Sequence, residues 1–403
     1  MNEDISGSQG VATIRFSAGR EIKQLTGLRG IAALDVVIGH YNIHASPLLR
    51  LVSFGNVAVD LFFCLSSFTL CLVYGAGLRQ ALNLRHYGVA RLARIYPLYL
   101  LVFAVNAMLA FEWGWSNVHL YSKAGALLDG LRQVLLINAW PVLGSGVFWD
   151  VTQWSVSVEV FCYIAAFPPF FYLTHRVARA GASMRAGVAL VLCFLNLLAF
   201  KKAFTPVICT FGYPAAPDIA YWVALIRGLT MFGAGWLAYI SWLRQDDWAK
   251  GAAGIADAVA LAVLSIVVGF GFRLLDGPLM VLLFPSFLLA LMNGRSNVSR
   301  LLSTRPVLFL GRISYALYLV HLPVHAALWA YWPTVMNNET MRIPVALVTS
   351  LLVATVSLYA LEVPARRALR SWLADGRGAV QASLAPISGG DGVAAEALER
   401  VSV

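Results

Sequence analysis

Apolar stretches of close to twenty residues, separated by short polar or basic segments, follow one another from Leu25 to Leu361. A helix rises 1.5 Å per residue, so about 20 apolar residues cross the roughly 30 Å hydrocarbon core of a bilayer. The stretches lack the apolar/polar alternation of barrel strands, and helices are the other way a backbone can satisfy its hydrogen bonds in lipid. The pattern predicts an all-α polytopic membrane protein with about 10 transmembrane helices. In order they cover residues 26–44, 55–75, 93–111, 154–173, 186–202, 219–242, 252–271, 277–292, 307–330 and 343–361. The segment YSKAGALLDGLRQVLLIN is spaced with Lys123, Asp129 and Arg132, which predicts an amphipathic helix lying on the membrane surface. Residues 1–20 and 373–403 are polar or small, with few large side chains, and are expected to be disordered.

Composition agrees with the pattern. The chain has 403 residues, 59% hydrophobic and 12% charged, against about 25% charged in a soluble domain. Its net charge of +10 reads as Lys and Arg holding loops on the cytoplasmic side, which points away from a nucleic-acid partner. Placing both termini in the cytoplasm puts most of these residues there, including the basic runs after the fourth, eighth and tenth spans. An extra span at 120–138 would move those runs outside. Cys64, Cys71, Cys162, Cys193 and Cys209 form no C-x-x-C pair, so neither a disulfide framework nor a thiolate zinc site is expected. No cleavable signal peptide is visible, because the first apolar stretch is long enough to stay as a span.

Ionisable groups inside lipid are costly and mark function or a structural partner. With this topology His40, Asp60, Glu159 and His321 all fall in the outer half of the bilayer, on four different spans, which suggests a shared cavity. Arg29, Arg91 and Arg94 fall at the cytoplasmic ends of the first and third spans. Arg91 and Arg94 are three apart, so they share a helix face and suit a polyanion. Arg29 lies roughly 16 Å from His40 along a helix axis. Simpler roles exist for each: positive-inside anchoring for the arginines, a helix cap for Asp60, an ion pair for Glu159, and a backbone hydrogen bond for His321. Asp35 reads as an interhelical polar contact. His40 and His44 are four apart, as are His321 and His325, a spacing that can also serve a metal or haem. A secondary transporter would show inverted repeats and paired broken helices, and neither is visible.

Six segments narrow these options. LTGLRGIAALDVVIGH carries a basic residue and, after ten intervening residues, a histidine. VDLFFCLSSF, RLARIYPLY, WSVSVEVFCY, LGRISYALYLVHLPV and LEVPARR follow in order. Together they resemble the acyltransferase-3 family of integral membrane acyltransferases, which includes bacterial O-antigen and exopolysaccharide O-acetylases. The resemblance runs from residue 25 to about 370. Thr26 departs from it where many members have Asp, and Ser67 where most have Gly.

The resemblance implies a membrane acyltransferase domain over residues 21–372, multi-pass in a bacterial inner membrane and of the stand-alone membrane form. It implies transfer of an acyl group, expected to be acetyl, from cytoplasmic acetyl-CoA or another acyl-CoA. The acceptor would be a hydroxyl of a glycan or lipid-linked saccharide at the outer side, and no metal is needed. Arg91 and Arg94, with Arg29, would hold the donor phosphates. His40 would act as general base or, alternatively, form an acyl-histidine. Glu159 would orient His40, His321 would donate to the oxyanion, and Asp60 and Trp154 would meet the acceptor.

Overall fold

The computed structural model describes residues 22–41, 55–75, 81–113, 123–144, 152–203, 217–262, 277–292, 294–369 and 371. The tails expected to be disordered, His44, Cys209 and the far part of the seventh expected span lie outside these residues. The described helices belong to one unit, Lys23–Ala385, and no strand occurs among the described residues.

The helices are α1 Lys23–Tyr41, α2 Gly55–Tyr74, α3 Leu84–Trp113, α4 Lys123–Val134, α5 Gln153–Val177, α6 Ala182–Ala203 and α7 Pro217–Arg244. They continue as α8 Asp247–Gly254, α9 Phe284–Met292, α10 Asn297–Leu302, α11 Arg305–Tyr331 and α12, which starts at Glu339 and runs to Leu369. Two of these rods contain a π-helical turn: Cys162–Ala166 within α5 and Leu358–Glu362 within α12.

Seven helices among the described residues, α2, α3, α5, α6, α7, α11 and α12, are long and apolar enough to cross a membrane. Three of the ten expected spans are not among them, for separate reasons. α1 carries Lys23, Arg29 and Asp35 within 19 residues. The stretch 277–292 is a 3₁₀ turn followed by a nine-residue helix. The helix starting at residue 256 leaves the described residues after 262.

α3 starts nine residues before the expected span, because the basic segment is helical too. Arg85, Arg91 and Arg94 therefore sit on the same rod as the apolar run. α4 forms where the spaced charges imply a surface helix. It turns Ala126, Asp129 and Gln133 inward and leaves Leu127, Leu128 and Leu131 exposed. A polar face toward protein and a leucine face outward suit a helix bathed in lipid. Tyr99 of α3 fixes it, its hydroxyl donating to the Gln133 carbonyl at 2.9 Å.

Glycines set the closest helix crossings. α1 packs along α11, and a Cβ on Gly27, Gly30 or Gly311 would fall closer than 3.0 Å to backbone atoms of Leu302, Gly311 or Thr26 respectively. A Cβ on Gly235 of α7 would likewise collide with the Cys64 carbonyl of α2. In lipid, helices associate by packing and hydrogen bonding, and small residues allow the backbones to approach. Just past the C-terminal end of α7 a buried ion pair, Arg185–Asp246 at 2.7 Å, joins three helix ends. Arg185 also donates to the carbonyls of Ala178 and Ala180 at the end of α5, and Asp246 caps α8 by accepting from the Ala249 amide at 3.1 Å.

The crossing makes a contrast that can be measured. Gly311→Ala is expected to destabilise by about 1–3 kcal/mol through overpacking. Gly88→Ala and Gly187→Ala, where no atom lies within 4 Å, are expected to be neutral or stabilising by up to about 1 kcal/mol, since alanine is the better helix former. Thermal unfolding in detergent checks this, and a Gly311→Ala protein that melts with the wild type would refute the packing constraint.

Candidate active site

α1 and α11 bring two imidazoles together. His321 is fully buried and His40 half-buried. His321 Nε2 lies 3.1 Å from His40 Nδ1. The surrounding hydrogen bonds assign the protons. His321 Nδ1 faces the carbonyls of Tyr318 at 2.8 Å and Leu317 at 3.2 Å. Carbonyl oxygens only accept, so this nitrogen carries the hydrogen and neutral His321 offers a lone pair at Nε2. His40 Nδ1 also lies 2.9 Å from the Val36 carbonyl. Both of its neighbours are acceptors, so it too carries the hydrogen. The lone pair of His40 is left on Nε2.

Tyr41 clamps this contact. Its hydroxyl donates to the His321 carbonyl at 2.8 Å and shares a hydrogen bond with Ser350 of α12. His325 turns elsewhere: its ring stacks on Tyr41 at 4.9 Å between centroids and accepts from Trp329 Nε1 at 3.3 Å. Among the described residues no group of three His, Cys, Asp or Glu is placed to hold a metal.

One turn below His321 lies a cavity of about 60 Å³. Its lining includes Arg29 of α1, Arg94 of α3, Ser155 and Glu159 of α5, and Tyr315 and Tyr318 of α11. Tyr318 links the cavity to the histidines: its carbonyl holds His321, while its hydroxyl bonds Ser155 at 2.6 Å and the Thr152 carbonyl at 3.0 Å. Tyr315 donates to the Ile95 carbonyl at 2.7 Å and so ties α11 to α3 beside Arg94.

Glu159 belongs to the arginine side. Its Oε1 accepts from Ser66 at 2.8 Å and from Tyr163, a residue of the π turn. The extra residue of that turn leaves the Tyr163 carbonyl to accept from Tyr87 at 2.9 Å. Arg91 lies over the rings of Tyr74 at 5.7 Å and Tyr163 at 5.9 Å. The partner expected for His40 was Glu159, whereas the group facing it is His321. Similar depth in the bilayer did not bring Glu159 to His40, because rotation about each helix axis decides what a side chain meets.

Asp60 and Trp154 form a third group, away from both. Asp60 is fully buried, and Arg227 grips it with two bonds: Nη2 to Oδ2 at 2.7 Å and Nε to Oδ1 at 3.2 Å. Asn196 adds a third at 3.0 Å. The Arg227 guanidinium is covered by the rings of Phe200 at 4.6 Å and Trp154 at 5.2 Å. Asp60 does not cap α2 either, since it lies a turn inside that helix. Arg227 is the residue that the sequence reading left without a role. The available signal was an arginine in the middle of an apolar span, which needs a carboxylate partner.

Comparison with known proteins bears on what this geometry serves. A family model described as an acyltransferase domain, acyltransferase-3, matches residues 22–361. The chain is 26% identical over 334 residues to the acyltransferase MdmB of Streptomyces mycarofaciens, covering 75% of this chain and 79% of that one. It is 24% identical over 367 residues to YrhL of Bacillus subtilis (strain 168), whose name gives it as a candidate peptidoglycan O-acetyltransferase. That match covers 86% of this chain but 55% of YrhL, so the chain spans little more than half of that relative. It is 41% identical over 148 residues to protein 2 in the picA locus of Rhizobium radiobacter, 34% of this chain and 75% of that one. No solved structure matches the chain.

The buried ion pair gives a stability test separate from chemistry. Removing one partner of such a pair leaves an uncompensated charge and costs about 3–5 kcal/mol. Asp60→Leu and Arg227→Met are each expected to lower thermal stability in detergent by that order, and the double variant to recover most of the loss. If the single variants melt like the wild type, the pair has no structural role.

Proposed function

The chain belongs to the acyltransferase-3 family, and from that premise we propose that it transfers an acyl group from acyl-CoA to a hydroxyl, with His40 as the general base. It is a multi-pass membrane acyltransferase. The observation that carries the mechanism is the contact at 3.1 Å between His40 and His321, with the lone pair of His40 left on Nε2.

His40 Nε2 takes the proton of the acceptor hydroxyl as its oxygen attacks the thioester carbonyl. The tetrahedral intermediate collapses, the carbon–sulfur bond breaks, and the thiolate leaves with the proton returned from His40. General-base catalysis of this kind contributes about 10²–10⁴-fold. His321 accepts from His40 Nδ1, fixes the tautomer and steadies the imidazolium that forms in passing. This role replaces the expected oxyanion donor, because neutral His321 has given its one N–H to backbone carbonyls.

At the other end of α1, Arg29, Arg91 and Arg94 hold the phosphates of the donor. Two observations support this. Arg29 and Arg94 line one cavity, and the buried Nε of Arg91 has no acceptor among the described residues. Guanidiniums suit phosphate because their forked donors match its oxygens. An acetyl donor from the cytoplasm and a glycan or lipid-linked saccharide acceptor at the outer side complete the reading. The name of YrhL supports the acetyl group and a polysaccharide acceptor. The distribution of Lys and Arg supports cytoplasmic termini and a bacterial inner membrane.

The test is CoA release by the purified protein in nanodiscs, supplied with acetyl-CoA and a crude bacterial glycan fraction. His40→Ala is expected to lose about 10³-fold in turnover while still binding CoA. His321→Ala is expected to lose about 10²-fold, with part of the rate restored in His321→Gln, whose amide oxygen can accept from His40. The Arg91→Ala/Arg94→Ala variant is expected to turn over only at high acetyl-CoA. A His40→Ala protein that acylates at the wild-type rate would overturn the mechanism.

A further inference from the structure

The LEVPARR segment at the end of α12 has no role in the mechanism so far. Its π turn, Leu358–Glu362, packs against α3 and directs Glu362 into the bundle, where that residue is 2% exposed. One oxygen of Glu362 accepts from Arg366, one turn further along; the other, Oε1, is buried without a partner among the described residues. Arg366 is half-exposed, with 33% of its side chain accessible, and its buried Nε also has no partner there. Arg94 lies close enough to interact electrostatically with both Glu362 and Arg366.

The charges around Arg94 do not balance. Arg29, Arg91, Arg94 and Arg366 face two carboxylates, Glu159 and Glu362. Two buried arginines elsewhere in the bundle are each matched by one carboxylate, Arg227 by Asp60 and Arg185 by Asp246. Among the described residues this is an excess of two positive charges at the edge of a bilayer, which calls for an anion with more than one charge. Two π turns bracket the cluster: α5 presents Tyr163 to Arg91, and α12 presents Glu362 toward Arg94. Turns of this kind recur at functional sites because they re-aim side chains without ending the helix.

We propose that Arg366 is a further donor-binding residue, which reads the 3′-phosphate on the ribose of CoA, and that Glu362 is the positioning residue that holds Arg366 ready for it. The proposal rests on the acyl-CoA reading above. Arg366 lies outside the lining of the cavity that Arg29 and Arg94 share, on the last described turn of α12, with a third of its side chain accessible. It therefore meets the part of the donor farthest from the thioester, while Arg29, Arg91 and Arg94 meet the diphosphate. When the phosphate arrives, the free face of the guanidinium, Nε included, turns to it, and Glu362 keeps the remaining donor.

The experiment compares binding of CoA and of dephospho-CoA, which lacks the 3′-phosphate, to the full chain in nanodiscs by displacement of radiolabelled CoA. Wild type is expected to prefer CoA by about 10–100-fold, the range for a charge-assisted hydrogen bond or two. Arg366→Ala and Arg366→Gln are expected to lose that preference and to bind dephospho-CoA as wild type does. Glu362→Gln is expected to show a reduced preference. A structural role would lower both affinities together, so equal loss for the two ligands overturns the proposal. A preference retained in both Arg366 variants, or no preference in wild type, also overturns it. Absence of CoA binding by wild type overturns the acyl-CoA reading itself, whereas weaker binding of both ligands by Arg91→Ala/Arg94→Ala with the preference for CoA kept supports both.

Discussion

The distance between two helix backbones controls this site. α1 and α11 touch at Gly30 and Gly311, and Gly27 of α1 meets Leu302 of α10; at each a single added carbon would strike the neighbouring main chain. With no hydrophobic drive between helices in lipid, such contact has to be gained by close packing. The same crossing sets where His40 and His321 stand, each on one of the two helices. Their hydrogen bond at 3.1 Å tolerates little change, because such bonds weaken steeply beyond about 3.5 Å. Tyr41 adds a second constraint by tying α1 to the His321 carbonyl and to Ser350. Packing of small residues, some way down the helix, thus becomes geometry at the imidazoles.

Charge is handled in two ways in this bundle, and the difference is one basis for proposing which part is scaffold and which is site. Asp60 and Arg227 are sealed together, with Asn196 on one side and aromatic rings on the other. Such a pair is satisfied within the protein and binds nothing else. The arginines near Glu159 and Glu362 are only half-buried, outnumber their carboxylates, and leave buried nitrogens without acceptors among the described residues. Buried charges are normally paired, and this imbalance is what supports the proposal that a ligand supplies the missing charge here.

Much of this was legible in the chain. Apolar run length placed most helices to within a few residues, since the bilayer thickness fixes how long a span must be. The spacing of Arg29 and His40 on one helix, and of Arg91 and Arg94 on one face, follows from helical geometry alone. What could not be read was rotation and pairing. Glu159 and His321 were placed at similar depth, yet one joins Ser66 and Tyr163 while the other faces His40. Asp60 suited a helix cap or a substrate contact until Arg227, 167 residues away, was seen to hold it. Pairing of that kind depends on which helices become neighbours. The π turns were invisible for a related reason: they redirect Tyr163 and Glu362 without any change in the apolar pattern.

The choice of histidine as the partner of His40 follows from the surroundings. A carboxylate in that place would orient the ring well in water, but within a bilayer it would add a charge whose desolvation costs several kcal/mol. A neutral imidazole fixes the same tautomer without a charge, provided its own proton is committed elsewhere. The carbonyls of Tyr318 and Leu317 supply that commitment. Tyr318 then has two duties on one residue: its carbonyl sets the proton of His321, and its hydroxyl closes the cavity wall through Ser155. The histidine pair and the cavity in this way share one turn of α11. A displacement of that turn would alter the proposed base and the cavity together, so the glycine contact that seats α11 against α1 bears on both.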